Sequence, residues 1–192
     1  MVLPILKYGH PALRQKGARI EKITAPIKQL IEDLLETMYA AAGVGLAAQQ
    51  VGHALQLTVI DVRGIKDRPS IIEINGKPAD VDSFMPLVLV NPSLTPAASP
   101  VVGPEGCLSF PEIYAEIARP ESVHVVGING KGERVGFRCG GLLARAVQHE
   151  TDHLHGILFI DRMSNEIKKE LKSQLDELQE ASREELRKKP RP

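Results

Sequence analysis

His149-Glu150-Thr151-Asp152-His153 constrains this chain more than any other stretch, because two imidazoles one helical turn apart are costly to bury unless a metal occupies them. An α-helix repeats every ~3.6 residues, so His149 and His153 share a face and can chelate one ion. Glu150 stands beside them, close enough to act on a water held there. The same stripe runs back through Ala146 and Leu142. The pattern therefore predicts a helix that starts near Gly141, is stopped by Gly156 and carries its ligands on a buried face.

A site of this kind needs a third donor from elsewhere in the chain. The best candidate is Cys107 in Glu105-Gly106-Cys107-Leu108-Ser109. Gly106 lets the backbone approach closely, and a thiol beside a divalent cation is readily deprotonated. Two histidines and one cysteine leave a fourth position for water and suit zinc, iron(II), nickel or cobalt. The other cysteine, Cys139, has no such surroundings and reads as a buried thiol at a strand end. His155 and His124 read as surface residues. Glu105, Arg119 and Asp152 are candidates for a charge network that holds the motifs together.

Around this helix the rest of the chain reads as α+β. Ile27, Leu30, Ile31, Leu34, Leu35 and Met38 fall at helical spacing, with Thr24 as a cap, Pro26 in the first turn and an end at Gly43. Leu55 to Val62 and Leu87 to Asn91 read as strands, and Ala115 to Arg138 as short strands with tight turns. Between them, Gly64 to Pro86 contains Asn75-Gly76, a hairpin signal inside a polar, proline-punctuated stretch, and we expect it to be peripheral. After Met163 a charged amphipathic helix carries Ile167, Leu171, Leu175 and Leu178 along one side and ends in basic residues. The expected fold is antiparallel strands surrounding the central metal-binding helix, with a helix packed at the C-terminus.

At 192 residues the chain suits one domain with a real core. Lys plus Arg equal Asp plus Glu at 24 each, so no overall basic field would draw the protein to DNA or a membrane. The short apolar start is broken by Pro4 and resembles neither a secretory signal nor a membrane span. With two cysteines that need not pair, a reducing, cytoplasmic setting is expected.

Three ordered motifs, Gly43-Val44-Gly45-Leu46-Ala47-Ala48-Gln49-Gln50, then Glu105 to Ser109, then Gln148 to Leu154, resemble those of the peptide deformylases. The similarity extends from Tyr8 to about Met163, which implies a catalytic unit over 1–163 and a charged helix with a basic tail over 164–192. It implies removal of the N-formyl group from the starting methionine of new polypeptides, with iron(II) as the physiological ion and zinc, nickel or cobalt as substitutes. It also implies Glu150 as the proton carrier, and the side-chain amide of Gln50 and backbone N–H of Leu108 as donors to the carbonyl oxygen.

Gly43, Val44, Gly45 and Gly106 would offer backbone groups to an extended N-formylmethionyl peptide. Val44, Leu142, Ala146 and the stem of Arg145 would receive its first side chain. Gly103-Pro104 and Tyr114 depart from the family pattern. Two other readings use the same residues: a zinc endopeptidase, and a non-catalytic metal protein that docks at the ribosome. Most of the C-terminal helix reads as packing on the body, and its basic end, Arg187, Lys188, Lys189 and Arg191, is the part left open for a ribosome contact.

Overall fold

The computed structural model describes residues 1–188. Helix α1, Ala25–Ala40, has Pro26 in its first turn, where the missing N–H costs nothing, and buries Leu30, Ile31, Leu34 and Met38. The left-handed residue that closes it falls one position before the expected glycine. Ala42 takes that conformation at φ 52, and the Gly43 N–H returns to the Met38 carbonyl at 2.9 Å. Strand β1, Gly45–Ala47, follows at once, so Gly43 to Gln50 is extended backbone and then a short 3₁₀ turn over Ala48–Val51.

The sheet is antiparallel throughout. β1 pairs with β2, Leu57–Ile60, and β2 with β5, Leu87–Pro96. β5 then pairs with β8, Ser122–Ile128, and β8 with β9, Arg134–Gly140. β9 pairs with β3, Ser70–Ile74, which ends the sheet with β4, Lys77–Ala79. A separate hairpin joins β6, Pro100–Cys107, to β7, Phe110–Pro120. β5 runs past its expected end at Asn91 through a register shift between Val90 and Ser93. Asn91 itself sits at φ 50, and its side-chain amide clamps both backbone groups of Ile20, accepting at 3.0 Å and donating at 2.9 Å.

The expectation that Gly64 to Pro86 is peripheral fails. Asn75 and Gly76 both take positive φ, which suits the turn of a hairpin, and the β3–β4 hairpin they form extends the main sheet through β9. Its approach is tied to the start of α2, Gly141–Leu154: the Leu142 N–H donates to the Pro69 carbonyl at 3.1 Å and the Leu143 N–H to Ser70 Oγ at 3.1 Å.

Three apolar clusters surround α2. The first, including Ile60, Leu89, Val125, Leu143 and Val147, lies between the sheet and the helix. The second seats α1 on β1, β2 and β5 through Leu34, Met38, Leu46 and Leu57. The third gathers Leu13, Phe110, Ile117 and Phe159, and here the C-terminal segment docks. That segment is two helices where one was expected, α3, Asn165–Glu170, and α4, Lys172–Lys188. Leu175 is buried against the third cluster, with Ile167, Leu171 and Leu178 partly buried beside it. Lys189 and Arg191 lie outside the described residues.

Candidate active site

Nearly all of α2 is buried, from Leu142 to Leu154, which makes it the central helix of the fold. His149 and His153 stand one turn apart with ring centroids 5.1 Å apart. Cys107 reaches them from the last position of β6, where the register with β7 shifts after Gly106, and its Sγ lies 3.4 Å from His153 Nε2. Donor atoms of Cys107, His149 and His153 all fall within 4.8 Å of one another. That spacing suits one shared ion, given ligand distances of about 2.0–2.3 Å. The donor set fits a metal, and so does its setting: Cys107 and His149 line a cleft, His153 is buried behind them, and a buried carboxylate stands beside them.

That carboxylate is Glu150, 5% exposed, with Oε2 buried and without a hydrogen-bond partner among the described residues. Gly45 makes room for it. A Cβ at Gly45 would sit 2.4 Å from Glu150 Oε1, so β1 and α2 can touch here only because one of them lacks a side chain. Burial pushes the Glu150 carboxyl up to about 7, although His149 and Arg119 pull the other way. Burial also works against charge on both histidines. His153 is held well below its ordinary value by burial and by repulsion from His149, whereas hydrogen bonds to Cys107 and Glu105 overcome burial and raise His149 well above it. An ion binding here requires His149 to give up that proton.

Gln50, 1% exposed, is fixed by its own turn: Oε1 accepts from the Ala47 N–H at 2.9 Å. Its Nε2 is thereby aimed at the site, 3.2 Å from Ser109 Oγ and 3.5 Å from Cys107 Sγ. Leu108 is anchored by the Lys7 ammonium, which donates to its carbonyl at 2.8 Å.

Behind the ligands lies a buried charge network. Glu105 accepts from Arg119 Nε at 2.5 Å and Nη2 at 3.0 Å, from Arg145 Nη1 at 2.9 Å and from His149 Nδ1 at 3.0 Å. Asp152 accepts from Arg119 Nη1 at 2.8 Å and from Arg162 at 2.6 and 2.9 Å. Burial raises Glu105, but the bonds from His149 and Arg119 prevail and hold its carboxyl down at about 2. By accepting from Nδ1, Glu105 turns Nε2 of His149 toward the site. Arg145 was expected only to lend its stem to the cleft, and Arg162 was not expected here at all, since an arginine carries no local mark of the carbonyls and carboxylates it will meet.

The cleft in front of the site measures about 490 Å³. Its lining includes Gly43, Val44 and Gly45, then Gly106, Cys107 and Leu108, and from α2 Arg145, Ala146, His149 and Glu150. Leu142 does not line it and packs into the first apolar cluster. Tyr114, which departs from the family pattern, lines it, and so do Lys7 and Arg68, which no motif had marked.

The two thiols differ sharply. Burial pushes Cys139, wholly enclosed at the end of β9, up to about 12, while Cys107 is half-buried at the cleft. In metal-stripped folded protein, iodoacetamide is expected to label Cys107 and spare Cys139, read by mass mapping of the peptides. Equal labelling would show that Cys139 is reached by opening of the core.

Comparison with known proteins agrees along nearly the whole chain. The family model described as polypeptide deformylase matches residues 2–169. The peptide deformylase of Methylacidiphilum infernorum (isolate V4) is 47% identical over 178 residues, 93% of each chain, and that of Opitutus terrae 43% identical over 165 residues, 85% of each. Among solved structures, the peptide deformylase from Synechococcus elongatus in complex with actinonin aligns with a TM-score of 0.76 at 38% identity, covering 92% of this chain and 85% of that one. The Thermus thermophilus enzyme aligns at 0.78 and 35% identity, covering 94% and 99%.

Proposed function

The chain belongs to the peptide deformylase family, and from that premise we propose how its residues remove the N-formyl group from the starting methionine of newly made polypeptides. Cys107, His149 and His153 hold one divalent ion. The ion is iron(II), with zinc, nickel or cobalt able to replace it; family resemblance supports iron, since the donor set accepts all four. When bound, the ion supplies Lewis acidity to the water and to the formyl oxygen.

Glu150 takes one proton from the attacking water and delivers it to the departing amine nitrogen as the C–N bond breaks, so the products are formate and a free amine. A carboxyl raised to about 7 suits both halves of that exchange. Gln50 Nε2 and the Leu108 N–H donate to the negative charge that grows on the formyl oxygen. The peptide lies as an added strand between Gly43, Val44 and Gly45 on one side and Gly106 on the other, with its methionine side chain against Val44, Ala146 and the stem of Arg145.

The observation that carries this reading is the convergence of three ligand atoms beside a buried carboxylate oxygen with no partner among the described residues, next to a cleft lined by Gly43, Val44, Gly45 and Gly106. Iron-loaded protein prepared without oxygen is expected to release formate from formyl-Met-Ala-Ser while leaving acetyl-Met-Ala-Ser and internal peptide bonds intact. Cleavage of internal bonds without formate release would overturn it in favour of an endopeptidase.

The setting is the cytoplasm, at the translating ribosome. No described helix is long and apolar enough to cross a membrane. The apolar side of α4 is engaged with the body, which leaves its end for docking. Arg187 and Lys188 there are within 3.1 and 4.0 Å of Glu180 and Glu184, so a contact to ribosomal RNA would have to exchange these exposed pairs. Truncation after Glu185 is expected to lower ribosome co-sedimentation at low salt while hydrolysis of a free formyl peptide is unchanged. Unaltered co-sedimentation would remove the docking role.

A further inference from the structure

Arg68 belongs to the segment between β2 and β3, far in sequence from every catalytic motif, yet it lines the cleft beside Pro104 and Tyr114. It is held there. Its Nη2 donates to the Pro104 carbonyl at 3.1 Å, and the next two residues, Pro69 and Ser70, are bonded to the first turn of α2. The guanidinium is therefore tied to β6, and the chain just after it to the ligand-bearing helix. It forms no ion pair with any described residue. The acids that line the cleft, Glu105 and Glu150, are buried, whereas Arg68 is half-buried; of the other two cations in the lining, Arg145 is bonded to Glu105 and Lys7 to the Leu108 carbonyl.

Resting on the deformylase reading above, we infer that Arg68 is a specificity-determining residue that selects an acidic side chain at the third position of the formylated peptide. The spacing assigns the position. A strand rises about 3.3 Å per residue, so Pro104 lies about 10 Å along β6 from Cys107. A peptide whose formyl group meets the ligands and whose backbone runs beside Gly106 brings its third residue level with Pro104. A carboxylate there meets a guanidinium whose Nε and Nη1 have no partner among the described residues. Because the pair is partly solvated, its effect is modest, up to about fivefold, and is screened by salt.

The test measures kcat/KM for formyl-Met-Ala-Glu, formyl-Met-Ala-Gln and formyl-Met-Ala-Lys with metal-loaded full-length enzyme, at low and high salt. The wild type is expected to favour Glu over Gln by about three- to fivefold, mostly through KM, and to favour Gln over Lys. In Arg68→Gln the Glu to Gln ratio falls to about 1, Arg68→Lys restores part of it, and Arg68→Glu inverts the order. High salt flattens all three ratios in the wild type. A wild-type ratio of 1 at low salt, or a preference that survives Arg68→Gln and disappears in Lys7→Gln, would overturn the assignment. Failure of the wild type to release formate from formyl-Met-Ala-Gln would instead void the deformylase reading, which keeps the two outcomes separate.

Discussion

Glu150→Gln is expected to retain the metal and lose about 10²- to 10⁴-fold in turnover, the usual contribution of a positioned proton carrier. The amide occupies nearly the same volume in the space that Gly45 leaves against the helix, so Cys107, His149 and His153 keep their arrangement. It cannot accept the water proton. The loss should appear in kcat with little change in KM, because the carboxylate acts on water and on the leaving nitrogen and takes no part in seating the peptide. Metal content by elemental analysis and formate release measured on the same sample decide it. A variant with full metal and near-normal formate release would remove Glu150 from its role. A variant with no metal would mean that the carboxylate holds the ion instead.

Arg119→Met is expected to produce the largest loss of stability, about 3–5 kcal/mol, because it leaves two buried carboxylates short of a partner. Arg119 is 3% exposed and bridges Glu105, on the strand that ends in Cys107, to Asp152, on the helix that carries both histidines. For a domain of this size the loss corresponds to a fall in Tm of very roughly 6–20 °C. The pH dependence has a definite sign. Glu105 is depressed from 4.5 to about 2, so its contribution to stability is present above 4.5 and is lost as pH falls toward 2. Without Arg119 the carboxyl titrates higher, so the deficit relative to wild type should narrow as pH falls from about 4.5 toward 2. Thermal unfolding of both proteins across that range is the measurement, and a deficit that stays constant with pH would show that lost packing dominates.

The features legible in the linear chain are those whose physical cause is local. Helical spacing alone places His149 and His153 on one face with Glu150 beside them, and glycine next to a cysteine marks a close approach of backbone to something else. The apolar spacing of α1 likewise survives folding, with its start and end displaced by only a residue or two. Where periodicity misled, the reason is visible. Leu142 falls on the same stripe as Ala146 and His149, but α2 is enclosed on nearly every side, so sharing a stripe does not decide which neighbour a side chain meets. Gln50 carries no local signal of its task. It becomes a donor aimed at the site only because the turn after β1 holds its carbonyl oxygen.

What the sequence determined by itself is therefore the kind of chemistry: a pair of imidazoles, a thiolate and a carboxylate have few uses together, and their ordered motifs mark the family. The tertiary structure alone decided the environment of that chemistry. Arg145 and Arg162 join Glu105 and Asp152 from positions 40 and 10 residues away, and Arg68 reaches the cleft from the segment that precedes a hairpin expected to be peripheral. Charged side chains of this type bond to whatever carboxylate or carbonyl the fold brings near, and a long-range approach leaves no periodic trace in the chain. Ligand spacing is written in one turn of helix, whereas the field around the ligands exists only once strands, hairpin and helix have packed.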